Sequence, residues 1–250
     1  MDIIYGRNAV KSAIKSARPI DKLLAAKEID DPSVKEILAL ASEKRLPVVR
    51  VDKRKLDNLT MPFGYGGKPA NHQGVVAMAA AKEYGSIEDI MSLAESRNEP
   101  PFMLILDGIT DEGNLGSIIR SAEVLGAHGV ILGKRRSASL SSVAYKASSG
   151  AAERLPIVKV TNLSRTIKEL KEKGVWITAA DVSGKPADEI NLKGPVALVI
   201  GSEGEGISRL VLENCDLVAS IPMKGETGSL NAAVAAAVLM YEKARQEKQG

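Results

Sequence analysis

Five nearly continuous apolar runs between residues 102 and 201 are the feature that most constrains how this 250-residue chain can fold. They read FMLILDG, GVILG, PIVKV, VWITAAD and VALVIG, with helix-like segments between them. A strand without alternating polar residues buries both of its faces, which is typical of a parallel sheet covered by helices. The alternation therefore predicts an open, Rossmann-like α/β sheet in residues 102–250.

The first 80 residues predict a separate and smaller α/β unit. One helical pattern begins near Asn8, a possible N-cap, and a second begins with Asp31 as the cap and Pro32 in the first turn. The segments DKLLAAKE, PVVRV and QGVVAMAA are strand-like. The polar stretch that follows ends in two prolines and is typical of a linker that holds a short helix. We expect domains at 1–80 and 102–250, joined by a linker at 81–101.

Basic residues are concentrated near the N-terminus. Residues 1–80 hold 14 of the 34 lysines and arginines but only 9 of the 31 acidic residues, whereas the rest of the chain holds 20 and 22. An anionic partner such as nucleic acid, or an ordinary solvated surface, explains this excess equally well.

Other features of the composition exclude several classes of protein. No apolar run reaches the ~18 residues of a membrane span, and the first residues lack a signal-peptide pattern, so we expect a cytoplasmic protein. Two histidines and one cysteine, Cys215, leave little material for a metal site, and we expect no metal.

Glycines are concentrated late in the chain, not after the first apolar strand. The segment after that strand, DGITDEGNLGSIIR, matches neither the G-x-G-x-x-G dinucleotide pattern nor a P-loop. The later segments VIGSEGEGIS and IPMKGETGSLN follow two strands, at the edge where open α/β sheets bind ligands. Such loops allow a close backbone approach to a flat purine and need no phosphate to do so.

Three segments resemble the motifs of the SpoU/TrmH family of RNA ribose 2′-O-methyltransferases, in the SPOUT superfamily. They are LDGITDEGNLGSIIRSAEVLGAHGVIL, LVIGSEGEGIS and IPMKGETGSLNAAVAAAVLMYE. The segments IYGRNAVKSAI and NHQGVVA in turn resemble the ribosomal-protein-like (L30e-like) substrate-binding domain of the branch that methylates a guanosine of 23S ribosomal RNA.

The resemblance implies a fold, a cofactor and partners. We expect a C-terminal trefoil knot, S-adenosylmethionine as the methyl donor, a homodimer, and RNA, foremost ribosomal RNA, as the substrate. The last helix, expected at residues 229–246, would contribute to the dimer interface or pack as an ordinary alanine-rich buried helix. A transfer RNA substrate is one alternative function. A catalytically silent RNA-binding or ribosome-assembly protein is the other.

The resemblance also implies catalytic residues. Arg120 matches the family's catalytic arginine, and it lies opposite an apolar helix face formed by Leu115, Ile118, Ile119 and Ala122. A guanidinium hardly ever loses its proton, so Arg120 would either grip a phosphate and stabilise a developing alkoxide, or accept the proton with help from that phosphate.

Four polar residues and three loop positions complete the implied site. Asn114 would be catalytic or an N-cap, and Glu203 would orient Arg120 or a loop amide. Ser229 would be catalytic or cap the last helix, whereas a buried Asn231 in the first helical turn would require hydrogen-bond partners. The family's positions for backbone contacts to the methyl donor correspond to Gly201, Ile221 and Leu230.

Six residues are candidates for contact with RNA. Lys134, Arg135 and Arg136 follow a strand near the implied site and could meet phosphates, or could be ordinary surface charges. Phe63 and Tyr65 occupy a glycine-rich loop, where they could stack on a splayed base or anchor the loop to the core. Arg7, in IYGRNAV, is the sixth candidate.

Overall fold

The computed structural model describes residues 2–16, 18–226 and 228–248. In chain order its elements are β1 (Asp2–Tyr5), α1 (Arg7–Lys15), β2 (Ile20–Ala26), α2 (Pro32–Glu43), β3 (Val48–Val51), α3 (Lys53–Thr60), β4 (Val75–Ala79), α4 (Ile87–Ser96), β5 (Phe102–Asp107), α5 (Glu112–Val124), β6 (Gly129–Gly133), α6 (Ser142–Ala147), α7 (Ala151–Arg154), β7 (Ile157–Val160), α8 (Leu163–Glu172), β8 (Trp176–Pro186), β9 (Val196–Gly201), α9 (Arg209–Leu212), β10 (Leu217–Ser220) and α10 (Ala232–Lys248). None of the described helices is long and apolar enough to cross a membrane.

The described residues form two compact units. Unit 1 comprises residues 2–83 and 140–154, and unit 2 comprises residues 84–139 and 155–248. Unit 2 is built on a six-stranded sheet in the order β10-β8-β9-β5-β6-β7, and every pair of neighbouring strands is parallel. The first five residues of β5 and of β9 are all buried, as expected for strands covered on both faces. The predicted parallel α/β sheet is confirmed.

The two central strands end at the same level. β5 and β9 pair in continuous register from Phe102 opposite Val196 to Asp107 opposite Gly201. The loops that follow both strands therefore leave the sheet side by side at its carboxyl edge. The next helix, α5, buries the predicted apolar face, while Arg120 is exposed. This arrangement brings the motifs after β5 and β9 to the same edge of the sheet.

Unit 1 contains a four-stranded mixed sheet in the order β1-β4-β2-β3. Asp31 caps α2 through the backbone N–H of Ser33, with Pro32 in the first turn, as predicted. The predicted cap at Asn8 is wrong, because α1 already begins at Arg7 and is preceded by Gly6 at φ 88°. This φ lies in the left-handed region, so a residue with a Cβ would be strained at this position.

The segment predicted as a linker, 81–101, holds the expected short helix, α4, and that helix packs into the core of unit 2. α4 begins with a capping box in which Ser86 and Asp89 bond each other's backbone N–H groups. Ile90 is fully buried in the main core of unit 2. A Cβ on Gly129 would lie 2.4 Å from the Ile90 side chain, so glycine there makes room for the helix. The polar surface of α4 conceals this buried face in the sequence.

The predicted boundaries also miss that residues 140–154, with α6 and α7, belong to unit 1. A buried ion pair connects this segment to the N-terminal part of the unit. Arg18 donates to Glu153 across 2.9 Å, and the two side chains are only 5% and 2% exposed. The Arg18 guanidinium also pairs with Asp2 and lies 4.8 Å from the ring centroid of Tyr145. A local sequence pattern cannot reveal a partner 135 residues away.

Replacing Glu153 with alanine should therefore destabilise unit 1. Removing Glu153 leaves the buried Arg18 charge with only the partly exposed Asp2 as a partner, so we expect the free energy of unfolding to fall by about 3 kcal/mol. Glu169→Ala is the matched control, because it removes the exposed Arg165–Glu169 pair and should cost less than about 1 kcal/mol. Urea unfolding followed by circular dichroism measures both changes, and equal losses in the two variants would contradict this explanation.

Candidate active site

A cavity of about 240 Å³ opens at the carboxyl edge of the sheet in unit 2. The middle of β8, the end of β9, the loops after β9 and β10, and the first turns of α10 form its wall. Gly201 allows two parts of this wall to touch, because a Cβ there would lie 2.2 Å from the carbonyl carbon of Gly206. The glycine-rich segment after β9 is thus folded closely against itself.

Five of the predicted site residues line this cavity. They include the three positions predicted to contact the cofactor, Gly201, Ile221 and Leu230, together with Glu203 and Ser229. The acidic lining residues are Asp181 and Glu203, and no described lining residue is a lysine, arginine or histidine. A cavity with two carboxylates and no such base favours a cationic ligand over one that carries phosphates.

The carboxylate of Glu203 connects three separate parts of the chain. Its Oε1 atom accepts hydrogen bonds from the Asn114 amide at 3.0 Å, from the Asn231 amide, and from the backbone N–H of Ala232 at 3.3 Å. The Asn231 amide also donates to the side-chain oxygen Oδ1 of Asn114 at 3.0 Å. These bonds join α5, the loop after β9 and the start of α10 into one polar cluster beside the cavity.

Asn231 is exposed and lies immediately before the first residue of the last helix. The prediction of a buried residue in the first turn is therefore wrong. Its Oδ1 atom accepts from the backbone N–H groups of Ala233 and Val234 at 2.9 and 3.2 Å, as an N-cap does. Its amide group is then free to donate to the other two members of the cluster. Ser229 is not the cap of this helix, because α10 begins at Ala232.

Asn114 lies inside α5 and is not its cap. The cap is Asp111, which accepts from the Asn114 backbone N–H at 2.6 Å. Because Asp111 satisfies that donor, the Asn114 side chain is available to the polar cluster. Glu203, in turn, accepts from the side-chain amides of Asn114 and Asn231 and from the backbone N–H of Ala232.

Arg120 is exposed and lies six residues after Asn114, about 9 Å further along the helix axis at 1.5 Å per residue. It does not line the cavity. Unit 2 therefore brings together Asn114, Glu203 and Asn231, with Ser229 on the same cavity wall, but not Arg120.

A second depression, of about 320 Å³, adjoins the cluster and contains Arg136 among its lining residues. The Arg136 guanidinium pairs with Glu205, and both side chains are mostly exposed. Lys134 and Arg135, which precede it, are exposed as well. Of these three residues, Arg136 is the one that borders the loop after β9.

The other RNA-contact candidates belong to unit 1. Arg7 donates to Asp31 at 2.9 Å and to the backbone oxygen of Gln73 at 3.3 Å. Phe63 stacks on Tyr5 with their ring centroids 5.6 Å apart, so it anchors its loop and offers at most one ring face to a base. Tyr65 is 96% exposed.

A shallow apolar groove of about 530 Å³ runs between α5 and α10. Its lining includes Val234, Val238 and Tyr241, which are 48%, 40% and 61% exposed. Asn114 and Asn231 line the same groove, so it is continuous with the polar cluster.

The described residues contain no group of three or more histidine, cysteine and acidic side chains arranged to hold a metal ion. Burial, with a smaller contribution from Asp216, raises the pKa of the Cys215 thiol to about 11. Cys215 is therefore protonated near neutral pH and packs against the core as a small side chain.

Sequence reasoning missed Asp181 in the cavity wall and Asp111 as the cap of α5. Asp181 comes immediately after the apolar part of its strand, in VWITAAD, which is a recognisable position at the carboxyl edge of a sheet. For Asp111 the available signal was its spacing of three residues before Asn114, the distance over which a cap accepts a backbone hydrogen bond.

Comparisons with known proteins cover both parts of the chain. Residues 101–241 match the SpoU rRNA Methylase family, and residues 3–85 match the family described as RNA 2′-O ribose methyltransferase substrate binding. YacO of Bacillus subtilis (strain 168), which is assigned by name to the TrmH family of tRNA/rRNA methyltransferases, is 44% identical over 96% of this chain and 94% of its own length.

Two solved structures are similar over nearly the whole chain. The SpoU methyltransferase AviRb from Streptomyces viridochromogenes, in complex with the cofactor AdoMet, has a TM-score of 0.80 and 27% identity, covering 99% of this chain and 91% of that one. An AdoMet-bound rRNA methyltransferase from Sinorhizobium meliloti has a TM-score of 0.77 and 25% identity, covering 98% and 87%.

Exchanging Asn231 for aspartate tests the polar cluster. The carboxylate keeps the helix cap but loses two amide donors and faces Glu203, so we expect a loss of about 2 kcal/mol in the free energy of unfolding. Asn162→Asp is the control, because Asn162 caps α8 through the Arg165 N–H and bonds no carboxylate among the described residues. Thermal unfolding compares the two variants, and equal stability would contradict the described cluster.

Proposed function

Because this chain belongs to the SpoU rRNA methylase family, we propose that it transfers a methyl group from S-adenosylmethionine to the ribose 2′-oxygen of an RNA nucleotide. Family membership identifies the chain as an RNA methyltransferase. The observation that carries the proposal is a cavity with two acidic lining residues, which lies beside the Asn114–Glu203–Asn231 cluster.

The cavity suits this donor by its charge and by its backbone. S-adenosylmethionine supplies an electrophilic methyl group on a positively charged sulfonium. Asp181 and Glu203 give the cavity the opposite charge, and no described lysine, arginine or histidine lines it. The loops at Gly201, Ile221 and Leu230 would hold the adenosine part through backbone groups and apolar contact.

The remaining residues would bind and orient the ribose. Its hydroxyl is a weak nucleophile, so the site must align it and help its proton leave. The Asn114 amide donates one hydrogen to Glu203 and has a second that could bind a ribose oxygen. Ser229 is exposed on the cavity wall and could do the same. Arg120 would grip the adjacent phosphate and stabilise the developing negative charge.

Ribosomal RNA, specifically a guanosine of 23S RNA, is the substrate that we propose. The family description refers to rRNA, and the Sinorhizobium meliloti rRNA enzyme is similar over both units. A transfer RNA substrate is the alternative suggested by the name of the Bacillus subtilis relative. The distribution of transferred methyl groups between the two RNA classes distinguishes these possibilities.

We propose that the end of the chain forms a trefoil knot and that unit 1 has the L30e-like fold. α10 begins beside the loop after β9, while near its other end Gln246 bonds the backbone of Ile190 and Leu192 at 3.0 and 2.9 Å. This return of the helix to the segment before β9 supports the proposal, since a threaded chain would also make these contacts. The backbone path in an experimental structure tests both parts of the proposal.

We propose that a second copy of the chain occupies the groove between α5 and α10. The groove exposes Val234, Val238 and Tyr241 and includes two members of the polar cluster. Burying this face in a homodimer would remove exposed apolar area from water and close the cluster on one side.

Methyl transfer from labelled S-adenosylmethionine to purified ribosomal and transfer RNA tests the activity. We expect label in ribosomal RNA, on ribose, and a loss of about 100-fold in rate for Arg120→Ala. Arg120→Lys should recover only part of the rate, since lysine cannot form a bidentate contact. Arg165→Ala, an exposed helix arginine, is the control. RNA binding without transfer by the unmodified protein would support the silent alternative.

Replacing Val238 with glutamate tests the dimer, because a buried charge at an apolar interface is unfavourable. We expect light scattering to give a dimer for the unmodified protein and a monomer for Val238→Glu. Leu210→Glu is the control, since Leu210 is 61% exposed on α9 and lies outside the groove. A monomeric unmodified protein, or dimers in both variants, would contradict the proposed interface.

A further inference from the structure

Unit 1 contains a cavity of its own, of about 630 Å³, which the methyl-transfer chemistry does not use. It lies around the loop at residues 71–74, between the end of β2 and the start of α3. Three of its lining residues are cationic, namely Arg7, Lys53 and Lys68, and two are acidic, namely Glu28 and Asp57. Its volume is in the range of pockets that hold small organic ligands, about 300–1,000 Å³.

Gln73 presents hydrogen-bond donors to this cavity. Its Oε1 atom accepts from the backbone N–H of Arg7 at 3.0 Å and from the Lys146 ammonium at 3.2 Å. Both partners can only donate, so the oxygen must face them and the NH₂ group must be the free end of the side chain. Burial and the nearby Arg7 guanidinium lower the pKa of Lys146.

Gln73 is also held firmly in place. Its φ angle of 54° lies in the left-handed region, which is uncommon for a residue with a side chain. Its backbone oxygen accepts from the Arg7 side chain at 3.3 Å, in addition to the two bonds at Oε1. The orientation of its amide group is therefore set by contacts within unit 1.

Asn71 repeats the same arrangement two residues earlier. Its Oδ1 atom accepts from the backbone N–H of Gln73 at 3.2 Å, which leaves its NH₂ group available as well. His72, between them, is fully used: Nδ1 accepts from the Gly74 N–H and Nε2 lies 3.0 Å from Asp57. The loop thus offers two amide donors, while Asp57 is engaged by His72.

The rim adds positive charge and an aromatic ring. Within the described residues, neither Lys53 nor Lys68 forms an ion pair, although both line the cavity. Tyr65 lies in the same turn as Lys68, because its backbone carbonyl oxygen accepts from the Lys68 N–H. The Tyr65 side chain is 96% exposed. A ligand with hydrogen-bond acceptors, a negative charge and a flat ring matches these groups.

We propose that this cavity binds one unpaired nucleotide of the RNA substrate. The amide groups of Asn71 and Gln73 donate to acceptors on the base, while Lys53 and Lys68 meet the phosphates. Glu28 is left as an acceptor for base N–H groups. A base in a duplex cannot reach such groups, whereas a base in a loop can be splayed out into them. The inference rests on the proposed function, because its ligand is part of the RNA substrate. Residues 3–85, which contain the cavity, match a substrate-binding family.

Gln73→Glu tests this site with little change of shape. A carboxylate still accepts from Arg7 and Lys146 but replaces the donor with a negative acceptor. Asn71→Asp makes the same change while keeping the bond to the Gln73 N–H. Asn58→Asp is the matched control, because Asn58 is exposed in unit 1 and does not line the cavity.

The probes are a fluorescein-labelled single-stranded RNA and a fully paired RNA duplex of the same length, at one salt concentration. We expect Gln73→Glu and Asn71→Asp to weaken single-strand binding about tenfold, equivalent to about 1.4 kcal/mol, with little change for the duplex. Single-strand affinities that match Asn58→Asp for both variants would overturn the proposal. Competition by free nucleoside monophosphates at concentrations similar to those of the RNA would show instead that the site binds mononucleotides.

Methyl-transfer measurements separate this inference from the proposed function. Active methyl transfer by the unmodified protein, with unchanged RNA affinity in both cavity variants, would refute the nucleotide site alone. Cavity-dependent RNA binding without methyl transfer would support the site and refute the proposed reaction. Melting temperatures equal to that of Asn58→Asp would establish that any loss of affinity reflects recognition.

Discussion

The pairing of β5 with β9 at the centre of the parallel sheet is the interaction on which the rest of unit 2 depends. Because the two strands end together, the loop after β9 meets α5, the helix that follows β5. Asp107, the last residue of β5, accepts from the Ser208 N–H at 2.8 Å and holds the far end of the loop that follows β9. Glu203 lies between these fixed points and bonds Asn114. The polar cluster is therefore a consequence of strand register.

The two cavities differ in the charges of their lining residues, as do the ligands proposed for them. The cavity of unit 2 has carboxylates and no described lysine, arginine or histidine in its wall, which suits a sulfonium. The cavity of unit 1 has amide donors and lysines, which suit a base and its phosphates. The overall charge of +3 conceals this division, since each unit has its own distribution of charges. Local charge is thus a better guide to function here than the total.

Much of the fold could be predicted because its cause is local. A strand buried on both faces must be apolar throughout, so the strands of unit 2 are evident in the sequence. The residues at the cavity were identified by the family's motifs, which neighbour each other at the sheet edge. Predictions failed where a distant partner decides the structure. Glu203 is such a partner, because it accepts from Asn114 and Asn231, which lie 89 and 28 residues away in the sequence.

Unit 1 is discontinuous in the chain, and this has a consequence for biosynthesis. The ion pair of Arg18 with Glu153 cannot form until more than 150 residues have left the ribosome. By then β5 and β6 of unit 2 have already been translated. Unit 1 therefore cannot be completed before unit 2 begins to emerge. Domains usually fold in the order of synthesis, but here the two must mature together. A nascent chain arrested near residue 83 would have Asp2, but not Glu153, as a partner for Arg18.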